Sequence, residues 1–150
     1  MPEAELPLVD AVMSTVVFTL DADQDLVEAY HSLAAKPFSG VPVMREGVLV
    51  GMLSETDALR SMAAAAFDGV PVGAVSTAMK TPVVPVMKGS DLFTVVDTLR
   101  GNCIRRAPVM DGNKVVGIVT VKDVDKALLA VLEARSVVRR VPHTPGAAWE

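Results

Sequence analysis

The chain has 150 residues, 51% of them hydrophobic and 21% charged, with a net charge of −4 and a mean hydropathy of +0.40. That length suits one ordinary domain or two small subdomains. The acidic balance argues against a general nucleic-acid surface, no run reaches the roughly 18–20 apolar residues of a membrane span, and the single Cys103 excludes an intramolecular disulfide or a cysteine metal cluster.

Taken in order, the chain begins with an acidic Met1-Pro2-Glu3-Ala4-Glu5, which lacks the basic region of a signal peptide, so a cytoplasmic protein is expected. Residues 6–13 form a short lead-in. Val16 to Leu20 is a β-rich run, and Leu26, Ala29, Tyr30 and Leu33 recur at helical spacing after a start at Asp25. Val41 to Met44 and Val48 to Leu53 make a hairpin around Arg45-Glu46-Gly47. A second helix begins near Thr56 and carries Ala58 to Ala66. Phe67 to Pro71 breaks the pattern, and Pro71 to Met79 repeats the lead-in as a short helix.

The same elements then return. Val83 to Val86 is β-rich, and Leu92, Val95, Val96 and Leu99 mark a helix after Ser90. Ala107 to Met110 and Lys114 to Val119 flank Asp111-Gly112-Asn113, a hairpin signal, and a last helix begins near Lys122 with Val124 to Leu132. The wording also returns. Met13-Ser14-Thr15 reappears as Met79-Lys80-Thr81, Pro42-Val43-Met44 as Pro108-Val109-Met110, Val50-Gly51 as Val116-Gly117, and Asp57 as Asp123. Subtracting 13 from 79, or 57 from 123, gives 66 each time. The chain is therefore a gapless tandem repeat, divided as 6–66, a linker 67–75, and 76–138, with loose tails at 1–5 and 139–150. The fold class is α/β (α+β), two pseudo-twofold β-α-β-β-α units packed sheet to sheet around a shared core. The apolar excess points to an oligomer.

The chemistry-bearing residues sit where each last strand meets its helix: Gly51-Met52-Leu53-Ser54-Glu55-Thr56-Asp57, echoed as Gly117-Ile118-Val119-Thr120-Val121-Lys122-Asp123. A helix N-terminus offers N–H groups to a phosphate, the hydroxyl adds a donor, and the carboxylate can accept from ribose hydroxyls. The same pattern is a capping box, which binds only its own backbone. Glutamate or glutamine is the usual capping partner, and the aspartate in both copies favours the ligand reading. Before Pro42 and Pro108 the copies diverge: Phe38-Ser39-Gly40 in one, Ile104-Arg105-Arg106 in the other, where two cations could clamp a phosphate or simply be solvated. His31 and His143 are far apart and fit surface positions. Nothing pairs a nucleophile with a base, so no catalytic residue, metal site or catalytic cofactor is expected.

The β-α-β-β-α order, the x-Pro-Val strand, the Gly-hydrophobic-hydrophobic-Ser/Thr-x-x-Asp ending and the tandem duplication resemble a pair of cystathionine β-synthase (CBS) domains, a Bateman module, over roughly residues 6–138. The resemblance implies a disc-like regulatory module that binds AMP, ADP, ATP or S-adenosylmethionine in two clefts. Each cleft joins the Ser/Thr-x-x-Asp of one copy to the first two strands of the other. One would use Met52, Ser54 and Asp57 with Val83, Val84, Ile104, Arg105 and Arg106. The other would use Ile118, Thr120 and Asp123 with Val17, Phe18, Phe38, Ser39 and Gly40. By this resemblance the aspartates hold ribose, Ser54 and Thr120 hold phosphate, and the aliphatic residues sandwich the base. It also implies pairing through helices into a homodimer and a separate protein partner to regulate. The charge count makes the first cleft the one for a polyphosphate and the second one for a less charged ligand or none. The alternative is a dimerisation module with vestigial clefts.

Overall fold

The computed structural model describes residues 6–37 and 40–135. In chain order its elements are α1 (Val9–Val12), β1 (Leu20–Asp21), α2 (Leu26–Ala34), β2 (Gly40–Arg45), β3 (Val48–Ser54), α3 (Glu55–Asp68), a 3-10 turn (Val75–Thr77), β4 (Val86–Met87), α4 (Leu92–Gly101), β5 (Arg106–Asp111), β6 (Lys114–Thr120) and α5 (Val121–Ala134). They build two three-stranded sheets, β1-β2-β3 and β4-β5-β6. In each, the first pair is parallel across a helical crossover and the second is an antiparallel hairpin. The 66-residue offset survives in the register: Leu20 faces Val43 as Val86 faces Val109, and Gly40 faces Ser54 as Arg106 faces Thr120. The sheets approach each other along β3 and β6.

The β-rich runs before each first helix pair over only two residues. The stretches just before them, 15–19 and 81–85, carry no ladder and are left to line the clefts. The start of α4 also differs from expectation. Asp91, the repeat mate of Asp25, is the cap and accepts from Thr94 N at 2.7 Å, while Ser90 donates its hydroxyl to Met87 O. The last helix of each half starts one residue earlier than its sequence suggests, because Ser54 and Thr120 are themselves the N-caps. α3 also runs on to Asp68 before Gly69, at φ +68, ends it.

One shared core is expected from the sequence, but the buried side chains form two clusters, one per sheet. The lead-in segments cross between them. Val75 is fully buried in the cluster of the first sheet, where Val75 N and Ser76 N donate to Gln24 O and Ala22 O. Val9 is fully buried in the second cluster, and its N–H donates to Ser90 O. Full burial of one such side chain is worth about 1.5–3 kcal/mol, so each lead-in is a clip on the opposite half. The clips explain two repeated motifs. A Cβ on Gly51 would lie 2.5 Å from Met79 Sδ, and one on Gly117 would lie 2.5 Å from Met13 Sδ. The Val-Gly of each hairpin is thus the seat of the repeated methionine. Beyond the methionines, Lys80 and Met52 exchange both backbone hydrogen bonds, as do Ser14 and Ile118.

Candidate functional site

The capping geometry is fully formed in both halves. Ser54 Oγ accepts from Asp57 N at 3.1 Å, and Ser54 N donates to Asp57 Oδ2 at 3.2 Å. Thr120 and Asp123 repeat this at 3.2 and 2.9 Å. Aspartate therefore closes the box as glutamate would, and its presence does not separate ligand binding from capping. A capping box uses one carboxylate oxygen and leaves the other. Asp57 Oδ1 lies 3.7 Å from both Lys80 Nζ and Arg60 Nη1, and the Asp57 side chain is only 4% exposed. Asp123 is half-buried.

The larger cleft encloses about 670 Å³ and is lined by all eight residues assigned to it from sequence: Met52, Ser54, Asp57, Val83, Val84, Ile104, Arg105 and Arg106. It falls within the range of about 300–1,000 Å³ typical of small-molecule pockets. The apolar wall is Met52, Val83, Val84 and Ile104, and the floor is the start of α3. Lys80, Arg105 and Arg106 supply positive charge against Glu55 and Asp57. Arg106 is half-buried. Burial above all, and then the neighbouring Arg105 guanidinium, pull its pKa down, while Asp57 opposes them by attraction.

The second cleft encloses about 140 Å³ and gathers Ile118, Thr120, Asp123, Phe18 and Gly40, together with Ser14 and Val16. Among its described lining residues there is no lysine or arginine. Lys36 Nζ sits 5.4 Å from the centroid of the Phe18 ring, so a cation already covers a face on which a base could stack. Val17 lies elsewhere. In an extended segment successive side chains alternate, and Val17 lines a separate shallow depression with Thr19, Met44 and Lys114 while Val16 and Phe18 face the cleft. Phe38 and Ser39 lie outside the described residues.

Among the lining residues that sequence reasoning does not assign to the larger cleft are Lys80, Asn102 and Cys103. Lys80 was visible as the one mismatch in a matched block, Ser14 against Lys80. Cys103, exposed and at φ +53, and Asn102 belong to the turn after α4 and carried no signal. The sequence places Gly40 in the second cleft alone, yet it lines both.

A family model described as CBS domain matches residues 9–64 and 72–130. The chain is 31% identical over 132 residues to the CBS domain-containing protein YhcV of Bacillus subtilis (strain 168), covering 87% of this chain and 92% of that one. In fold it resembles the CBS domain pair of protein MJ0100, solved in complex with 5′-methylthioadenosine and S-adenosyl-L-methionine (TM-score 0.73, 23% identity, 84% of this chain and 98% of that one). It also resembles CBSX2, solved in complex with AMP (TM-score 0.72, 23% identity, 83% and 98%).

Proposed function

The chain belongs to the CBS domain family, and from that premise we propose that it is a non-catalytic sensor that binds an adenosine-containing ligand in its larger cleft and passes the occupancy to a partner protein. The supporting observation is the composition of that cleft, with an apolar wall, a helix N-terminus bearing Ser54 and Asp57, and three cations, Lys80, Arg105 and Arg106. Asp57 Oδ1 would accept from ribose. The Ser54 hydroxyl accepts from the backbone and keeps its own proton to donate to phosphate. Met52, Val83, Val84 and Ile104 would hold the base. AMP, ADP, ATP and S-adenosylmethionine are the candidates, and the cations favour ATP. The smaller cleft would take a less charged ligand through Thr120 and Asp123 or stay empty. We further propose that two copies pair through exposed apolar residues of α3 to α5, among them Leu59, Phe93 and Leu129, at 51%, 77% and 51% exposure. No helix of the described residues is long and apolar enough to cross a membrane.

Calorimetric titration with AMP, ATP and S-adenosylmethionine tests the reading. Saturable binding of one of them, at one tight site per chain, is expected. No binding at millimolar ligand overturns it and leaves the dimerisation module, whose only uses for Ser54, Asp57, Thr120 and Asp123 are the caps they already form. Replacing Arg105 and Arg106 together by Ala should weaken ATP more than adenosine, and equal losses would remove their phosphate role.

A further inference from the structure

Gly40 and Arg106 are repeat mates, since 106 minus 40 is 66. Each begins the central strand of its sheet. They also meet. A Cβ built on Gly40 would lie 3.0 Å from Arg106 Nη1, 3.1 Å from Cδ and 3.3 Å from Cζ. The Arg106 side chain therefore crosses from the second sheet and lies on the bare backbone of the first, in the space that a side chain at 40 would fill. Gly40 has an ordinary extended backbone with no positive φ, so its conformation does not require glycine. The space does.

Resting on the nucleotide reading above, we propose that Gly40 is a specificity-determining residue: it is the socket that seats the Arg106 guanidinium in the larger cleft, and because both repeat positions open onto one space the chain can carry an arginine in only one of the two. An arginine at 40 would meet Arg106 in the same volume and repel it, as Arg105 already does from one side. The socket thus makes one cleft cationic by keeping the other neutral. Its wall is shared, because Gly40 lines both cavities.

A double-mutant cycle of Gly40→Val, Arg106→Ala and the pair tests this. Without ligand, Gly40→Val should lower the Tm by about 3 °C or more when Arg106 is present, and clearly less beside Arg106→Ala, where the socket is vacant. Additive shifts would overturn the socket. With ligand, Gly40→Val should weaken ATP about tenfold, the loss of one charge-assisted contact, with little change for adenosine, and adding Arg106→Ala should make it no worse. Wild-type protein that binds both ligands, with Gly40→Val keeping the wild-type ATP-to-adenosine ratio, overturns the proposal alone. Wild-type protein that binds neither overturns the selectivity claim together with the nucleotide reading. If Gly40→Val does not fold, Gly40→Ala, whose Cβ displaces Arg106 by only a few tenths of an ångström, should show the same non-additivity in smaller measure.

Discussion

The two clefts are cut from one pattern and end unlike. Both have a strand running into a helix, a hydroxyl cap, an aspartate three residues later and a backbone bridge from a lead-in segment. The equivalent backbone hydrogen bonds of the two bridges agree closely: Met52 N to Lys80 O is 3.1 Å against 2.9 Å for Ile118 N to Ser14 O, and Lys80 N to Met52 O and Ser14 N to Ile118 O are both 2.8 Å. What differs is side-chain charge and volume at equivalent positions: Lys80 against Ser14, Arg106 against Gly40, and a cavity of 670 Å³ against 140 Å³. Backbone symmetry is kept by the fold's own energetics, and function is written in the substitutions that the symmetry tolerates.

The sharpest way to break the comparison is at the aspartates. Asp57→Ala and Asp123→Ala each remove a capping carboxylate, and each should cost about 0.5–2 kcal/mol of stability in denaturant unfolding. Asp57→Ala should also weaken ATP binding, by roughly 10- to 150-fold, and Asp123→Ala should leave ATP binding near wild type. Equal ligand losses would make the clefts equivalent. Next come the glycine seats. Gly51→Val and Gly117→Val force a side chain against Met79 or Met13 and against the carbonyl of Lys80 or Ser14, at 3.1 and 2.9 Å from the new Cβ. Each should destabilise by about 1–3 kcal/mol, and Gly51→Val alone should also disturb ligand binding, because it moves Lys80.

Much of this was legible in advance. The repeat, its offset and both hairpins follow from spacing, and the Ser-x-x-Asp turn marks where β3 meets α3; the residues that the second half brings to the larger cleft follow only from the family resemblance. The crossing of the lead-in segments was not legible. Nothing local in Pro71 to Met79 says which sheet will bury Val75, since that choice depends on a contact across the whole fold. Val17 was misplaced for a simpler reason: in an extended segment, one residue of error reverses the face. Gly40 was hidden because a glycine's meaning here is what another residue puts on top of it.

Smaller effects sharpen the contrast further. Exchanging the lead-in residues, Lys80→Ser together with Ser14→Lys, should weaken ATP at the larger cleft about two- to fivefold, the scale of one exposed charge. Calorimetry would show whether the second cleft gains a phosphate site in return. The smallest effect is at Asp91, whose pKa is lowered chiefly by the hydrogen bond from Thr94 N, and also by that residue's side chain. A carboxylate held below its unfolded value stabilises above that value and loses the contribution as pH falls through the folded one. Asp91→Ala should therefore differ from wild type in Tm at neutral pH, and the gap should narrow in acid. A gap constant with pH would show that the cap acts without its charge.

The crossed clips carry one more consequence. The buried cluster behind each sheet is completed by a segment that belongs, along the chain, to the other repeat, so neither half is a finished body. In polymer terms the chain is an intramolecular segment exchange, a swapped pair of lead-ins made permanent by one peptide connection between α3 and the 3-10 turn. Residues 6–70 and 71–135, produced as separate pieces, should each stay poorly folded alone and regain the fold on mixing.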